Sequence, residues 1–112
     1  MSIRERIKAF QKELASGDVV PSRAREILME LSALLGNVLT EEREAEMAFN
    51  VVLLGYLDGD EAANRAKIRA AITPEYLRLQ VAKDTHTSVV ELIRSLKVIL
   101  RSIEEEMRLG AA

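Results

Sequence analysis

After Pro74 the chain runs to Leu109 with neither glycine nor proline, and along that stretch apolar residues return at alternating intervals of three and four. Leu79, Ala82, His86, Val89, Ile93, Leu96, Leu100, Ile103 and Met107 form an unbroken seam of heptad a and d positions. Thr73-Pro74-Glu75 supplies a helix start: a capping hydroxyl, a proline whose φ suits the first position, and an acid near the positive end of the dipole. The pattern predicts one helix over 74–109, about 50 Å long at about 1.5 Å per residue. That is more than a compact domain of 112 residues needs, so part of it is expected to project or to pair with another chain. Val90, Leu92 and Ile99 are apolar where a strict two-stranded zipper carries charge, which favours a helical bundle.

The rest of the chain also reads as helix. Ile3, Ile7, Phe10 and Leu14 line one face of a helix over 2–15, with Arg4, Lys8 and Lys12 beside them and Gly17-Asp18 as the stop. A second helix starts at Pro21 or Ser22, buries Ile27, Leu28, Leu31, Leu34 and Leu35 with Val38 as a further candidate, and is expected to stop at Gly36-Asn37. Thr40 is the expected cap of a third, with Glu41, Glu42 and Glu44 in its first turns. Its stretch 47–57 is apolar nearly all round, so it is expected to be surrounded by other helices, with Gly55 at a close crossing. Asp60 would cap an alanine-rich fourth helix over about 61–71. The expectation is an all-α bundle of about five helices in a single domain over 1–112, the long C-terminal helix pairing between subunits.

Composition excludes several classes. A hydrophobic fraction of 48% argues against disorder, and 4% aromatics without tryptophan leaves aliphatic residues and alanine to build the core. No cysteine means no disulfide and no thiolate metal site. Residues 1–14 are charged throughout and do not read as a secretory signal. The longest apolar run, Val51 to Leu54, is far short of a membrane span. A cytoplasmic protein with no membrane partner is expected.

No catalytic set can be assembled from one histidine and no cysteine, and the five glycines stand singly, so no phosphate loop exists. A non-enzyme without cofactor or metal is expected. His86 lies in the seam within Asp84-Thr85-His86-Thr87-Ser88, where a polar residue fixing helix register explains it better than a metal ligand. Asp58-Gly59-Asp60-Glu61 reads as a turn and a cap, because an EF-hand loop needs ligands spread over about twelve residues.

Net charge is −2, but residues 40–61 hold seven acids and one base while 65–83 hold five bases and one acid. Placement for helix ends and solubility accounts for this; a polarised binding surface is the other reading. Arg94, Lys97 and Arg101 fall at i, i+3 and i+7 of the long helix, with Arg65, Arg69, Arg78 and Lys83 upstream, and a row of cations neutralises successive phosphates. Against phosphate binding stand the acidic net charge and the shortage of aromatics for base stacking.

Ala66-Lys67-Ile68-Arg69, Pro74-Glu75-Tyr76-Leu77, Ile93-Arg94-Ser95-Leu96-Lys97 and Leu100-Arg101-Ser102-Ile103-Glu104-Glu105-Glu106 resemble small helical proteins of tailed bacteriophages that accompany single-strand annealing and replication genes. The resemblance covers about residues 60–109 and none of the first 58. It implies a non-catalytic accessory role near phage DNA and carries over no site residue.

Two functional expectations follow. One is an accessory protein of DNA recombination or replication, touching nucleic acid through Arg94, Lys97 and Arg101. The other is a protein-interaction module without nucleic-acid contact: an adaptor, an inhibitor of a host protein, or a structural phage subunit. A homo-oligomer, most simply a dimer, is expected through Ile93, Leu96, Leu100, Ile103 and Met107.

Overall fold

The computed structural model describes residues 2–59 and 62–111, which are all-helical and contain no strand. Four helices follow one another: α1 (Ile3–Ala15), α2 (Pro21–Leu57), α3 (Ala63–Ala70) and α4 (Pro74–Ala111). Among these residues no helix is long and apolar enough to cross a membrane. The chain divides into two compact units, one of Met1–Gly36 with Thr87–Ala112, the other of Asn37–His86. Helices α2 and α4 each run through both.

In the first unit, α1 opens with a capping box. The Glu5 backbone N–H donates to Ser2 Oγ at 3.2 Å, and the Ser2 N–H donates to Glu5 Oε2 at 3.3 Å, so two of the orphan donors of the first turn are satisfied. The helix ends where expected: Ser16 Oγ donates to the Glu13 carbonyl, and Gly17 takes φ 78°, a left-handed conformation that glycine adopts without a Cβ clash. Two cross-helix pairs join α1 to α2, Arg6 to Glu30 at 3.5 Å and Arg23 to Glu13 at 2.7 Å. Because residue numbers rise along one helix as they fall along the other, α1 and α2 are antiparallel here. The core combines one stripe from each of three segments: Ile7 and Phe10 of α1, Ala24, Ile27, Leu31 and Leu34 of α2, and Val89, Leu92, Leu96 and Leu100 of α4. Leu92 is buried as fully as the seam residues while Ile93 is only half-buried, the broad stripe of a bundle.

The expected stop at Gly36-Asn37 is not there. Helix α2 passes through both residues, and four helices replace the expected five or so. Gly17 is the only described residue with positive φ, so nothing at Gly36 uses the freedom of glycine to turn the chain. Leu31, Leu34, Val38 and Ala45 continue one buried face across the site. A mid-helix glycine costs about 1 kcal/mol against alanine, whereas burying one valine contributes about 1.5–3 kcal/mol, so burial decides. Thr40 is accordingly mid-helix rather than a cap, and Glu41, Glu42 and Glu44 do not sit at a helix start.

The second unit packs α2 against α4. Ala45 of α2 clusters with Leu79 and Ala82 of α4, and Phe49 packs against this cluster. The Phe49 and Tyr76 rings lie 5.5 Å apart at a tilt of 57°. Helix α3 buries Ala66 and Ala70, the small residues that let a short helix lie close. Asp60, the expected cap of this helix, lies outside the described residues; the N-cap position falls on Ala62, which makes no side-chain cap bond. The start of α4 matches its expectation: Thr73 Oγ1 accepts from the Tyr76 N–H at 3.3 Å and donates to the Ala70 carbonyl at 2.6 Å, tying α3 to α4.

The stretch 47–57 is not enclosed on all sides. Met47, Val51 and Leu54 are 65%, 71% and 58% exposed. Nor does Gly55 sit at a crossing within the chain, since a Cβ there would meet nothing within 4 Å.

Gly36→Ala tests the continuous helix. The position has ordinary helical φ and open space around the missing Cβ. The substitution is expected to stabilise the protein by about 0.5–1 kcal/mol in urea unfolding. A destabilised variant would mean that Gly36 turns left-handed and that α2 is broken.

Candidate nucleic-acid interface and the pairs around it

Two sets of basic side chains bear on the site. Those on the helix contacts are tied to carboxylates. Arg23 donates from Nε and Nη2 to both oxygens of Glu13, at 2.7 and 3.0 Å, and from Nη1 to Glu26 at 3.1 Å. Arg78 of α4 forks onto Glu41 of α2 at 2.7 and 3.1 Å and reaches Glu44 at 3.8 Å. Two parallel N–H donations fix a planar guanidinium better than a single contact. Glu13 and Glu41 are both held below the ordinary carboxylate value of 4.5, chiefly by these hydrogen bonds.

His86 belongs to the same set. Its Nδ1 lies 2.6 Å from Glu42 Oε2, so the only histidine faces a carboxylate of α2 from its position on α4. The three acids expected to complement a helix start are instead partners of α4. Among the described residues no group of three His, Cys, Asp or Glu is placed to hold a metal ion.

Arg94, Lys97 and Arg101 form the second group. All three are exposed, share one face of α4 by spacing, and have no ion pair among the described residues. Arg108, one heptad beyond Arg101, extends the row and is also exposed; in the sequence the acids Glu104-Glu105-Glu106 separate it from the other three. From Arg94 to Arg108 the row spans about 21 Å of helix, interrupted by exposed Glu104. Of the upstream bases, Arg78 is committed to Glu41 and Glu44 and cannot also serve phosphate without breaking that contact. Arg65 stands on α3, exposed.

The five residues expected to join subunits are placed differently from one another. Leu96 and Leu100 are enclosed by the first unit's own core, Ile93 and Ile103 are half-buried, and Met107 is 63% exposed. Residues 104–110 are exposed throughout, so the last turns of α4 extend beyond that core.

Exposed apolar residues were the features missed in the sequence. Besides Met47, Val51 and Leu54, the second unit exposes Ile68, Ile72 and Leu77. Ile72 and Leu77, with Tyr76 and Gln80, border a shallow open depression at the α3–α4 corner. Apolar periodicity marks a helix face as hydrophobic, but does not say whether the chain has anything to cover it.

Compared with protein-family models, curated proteins and solved structures, the chain matches none.

The Glu41–Arg78 pair predicts a pH dependence. Its carboxyl is depressed when folded, so the contribution is complete above the ordinary value of 4.5 and fades as pH falls through the folded value. With side chains 46% and 44% exposed, the pair contributes about 0.2–1 kcal/mol. The urea midpoint of the wild type is expected to fall more steeply than that of Glu41→Gln between about pH 5 and pH 3, the two curves converging at the acid end. Parallel curves would remove the pair from the stability of the fold.

Proposed function

We propose that this chain is a non-catalytic helical accessory protein that acts by binding, and that the Arg94/Lys97/Arg101/Arg108 face of α4 makes weak, sequence-independent contact with nucleic acid. One observation carries the reading. The cations at helix contacts are matched to acids of the same chain, whereas these four fall in one exposed row along α4 and have no ion pair among the described residues. Spaced by three, four and seven along a helix, they address successive phosphates of a single strand or one side of a duplex groove. The resemblance to phage-encoded proteins that accompany strand-annealing genes supports the same reading. The net charge of −2 and the few aromatics oppose tight binding and base stacking, so the contact expected is weak and made to phosphate.

Titration of labelled single- and double-stranded oligonucleotides tests it. Micromolar or weaker binding is expected, with a slope of log K against log salt of about −3, the value for four phosphate contacts on a single strand. Arg94→Glu/Lys97→Glu/Arg101→Glu is expected to abolish it, since these side chains are exposed and their exchange leaves the core intact. No binding at low salt, or binding retained by the folded triple variant, rejects the site.

A second reading, a module that docks another protein, is favoured by the bare apolar residues of the second unit. It predicts a salt-insensitive complex, because apolar burial releases no counterions.

A further inference from the structure

Helix α2 turns one face to its own core and the opposite face to solvent. On the solvent side of the second unit, Met47, Val51 and Leu54 follow one another at i, i+4 and i+7, all more than half exposed. Met47 and Leu54 stand equally far, about one turn, on either side of the midpoint between Asn50 and Val51. Two turns from that midpoint the stripe meets a charge at each end: Arg43 on the N-terminal side, Asp58 on the C-terminal side. Asp58 lies just past the end of α2, its N–H donating to the Leu54 carbonyl at 2.9 Å. Both charged residues are exposed, and neither has an ion pair among the described residues. Gly55, beside Val51 and Leu54, has nothing within 4 Å of a built Cβ. A glycine there weakens the helix by about 1 kcal/mol against alanine and serves no contact of this chain.

We propose that this face docks a second copy of the chain, the two α2 helices lying antiparallel across a two-fold axis at Asn50/Val51. The proposal rests on the protein-docking reading and names the partner. The pattern is self-complementary in one arrangement only. Turned end over end, the face sets Met47 against Leu54, Val51 against Asn50 and Arg43 against Asp58, six contacts generated from three. Laid parallel, it sets Arg43 against Arg43 and Asp58 against Asp58. A two-fold interface demands a patch that matches its own rotated image, and this one does in the Met47/Leu54 pair and in the Arg43/Asp58 charges. Gly55 leaves the backbone bare at the edge of the stripe, where a second helix approaches closely. The contact extends over about 22 Å of helix, a small interface, so association is expected to be weak and concentration-dependent.

Sedimentation equilibrium over a dilution series up to about 500 µM tests this. The wild type is expected to move from single-chain to twofold mass. Val51→Asp puts a charge at the centre of the face, on a side chain the folded chain leaves exposed. It is expected to weaken association at least about tenfold with no loss of melting temperature at low concentration. Arg43→Asp is expected to weaken association, and Arg43→Asp/Asp58→Arg to recover it, because the swap restores opposite charges only across an antiparallel pair. A wild type at single-chain mass throughout overturns the second copy and leaves protein docking to a foreign chain. A dimer that survives Val51→Asp, or a double swap no better than the single change, overturns this face and this orientation.

Discussion

The buried stripe of α2 is the constraint from which the other placements follow. Ala24, Ile27, Leu31, Leu34, Val38 and Ala45 keep to one face of the helix, with half-buried Glu41 and Glu42 in the turn between the last two. A break at Gly36-Asn37 would rotate everything after it and strand Val38 and Ala45 on the wrong side. Intrinsic propensity favours the break by about 1 kcal/mol, and a single buried valine outweighs that. Helix α2 therefore continues through Gly36-Asn37 to Leu57.

With that register, Glu41, Glu42 and Glu44 come to the side of α2 that meets α4. They take Arg78 and His86 as partners. Each exposed pair contributes little on its own, but together with the Ala45, Leu79 and Ala82 cluster they favour one alignment of the two helices. The same register turns Met47, Val51 and Leu54 outward, where no other part of the second unit covers them. On α4, the buried stripe through Val89, Leu92, Leu96 and Leu100 leaves Arg94, Lys97 and Arg101 on the outer side.

Local chemistry made much of this legible in the sequence. Ser2 with Glu5, Ser16-Gly17 and Thr73-Pro74 fix their helix ends within a few residues, so α1 and the start of α4 could be read directly. The seam of α4 was also readable, because period and burial coincide at Leu79, Ala82, Val89, Leu96 and Leu100. Gly36-Asn37 misled because a stop signal and a mid-helix glycine have the same residues; only the burial of Val38 and Ala45 separates them. The acids at 41–44 misled in turn, since a carboxylate near a presumed N-terminus and one facing an arginine across 37 residues look alike in sequence. Of the candidate site, the face of Arg94, Lys97 and Arg101 could be read from spacing. Their lack of acid partners could not, because pairing depends on which helix lies alongside.

Backbone chemical shifts with amide hydrogen exchange across residues 33–42 address the central claim most directly, that α2 is one helix held in register by its buried face. The account predicts uninterrupted helical shifts through Gly36, Asn37 and Val38, with exchange at those amides slowed to the same degree as at Leu34 and Ala45. Non-helical shifts and fast exchange confined to Gly36–Leu39 would contradict it.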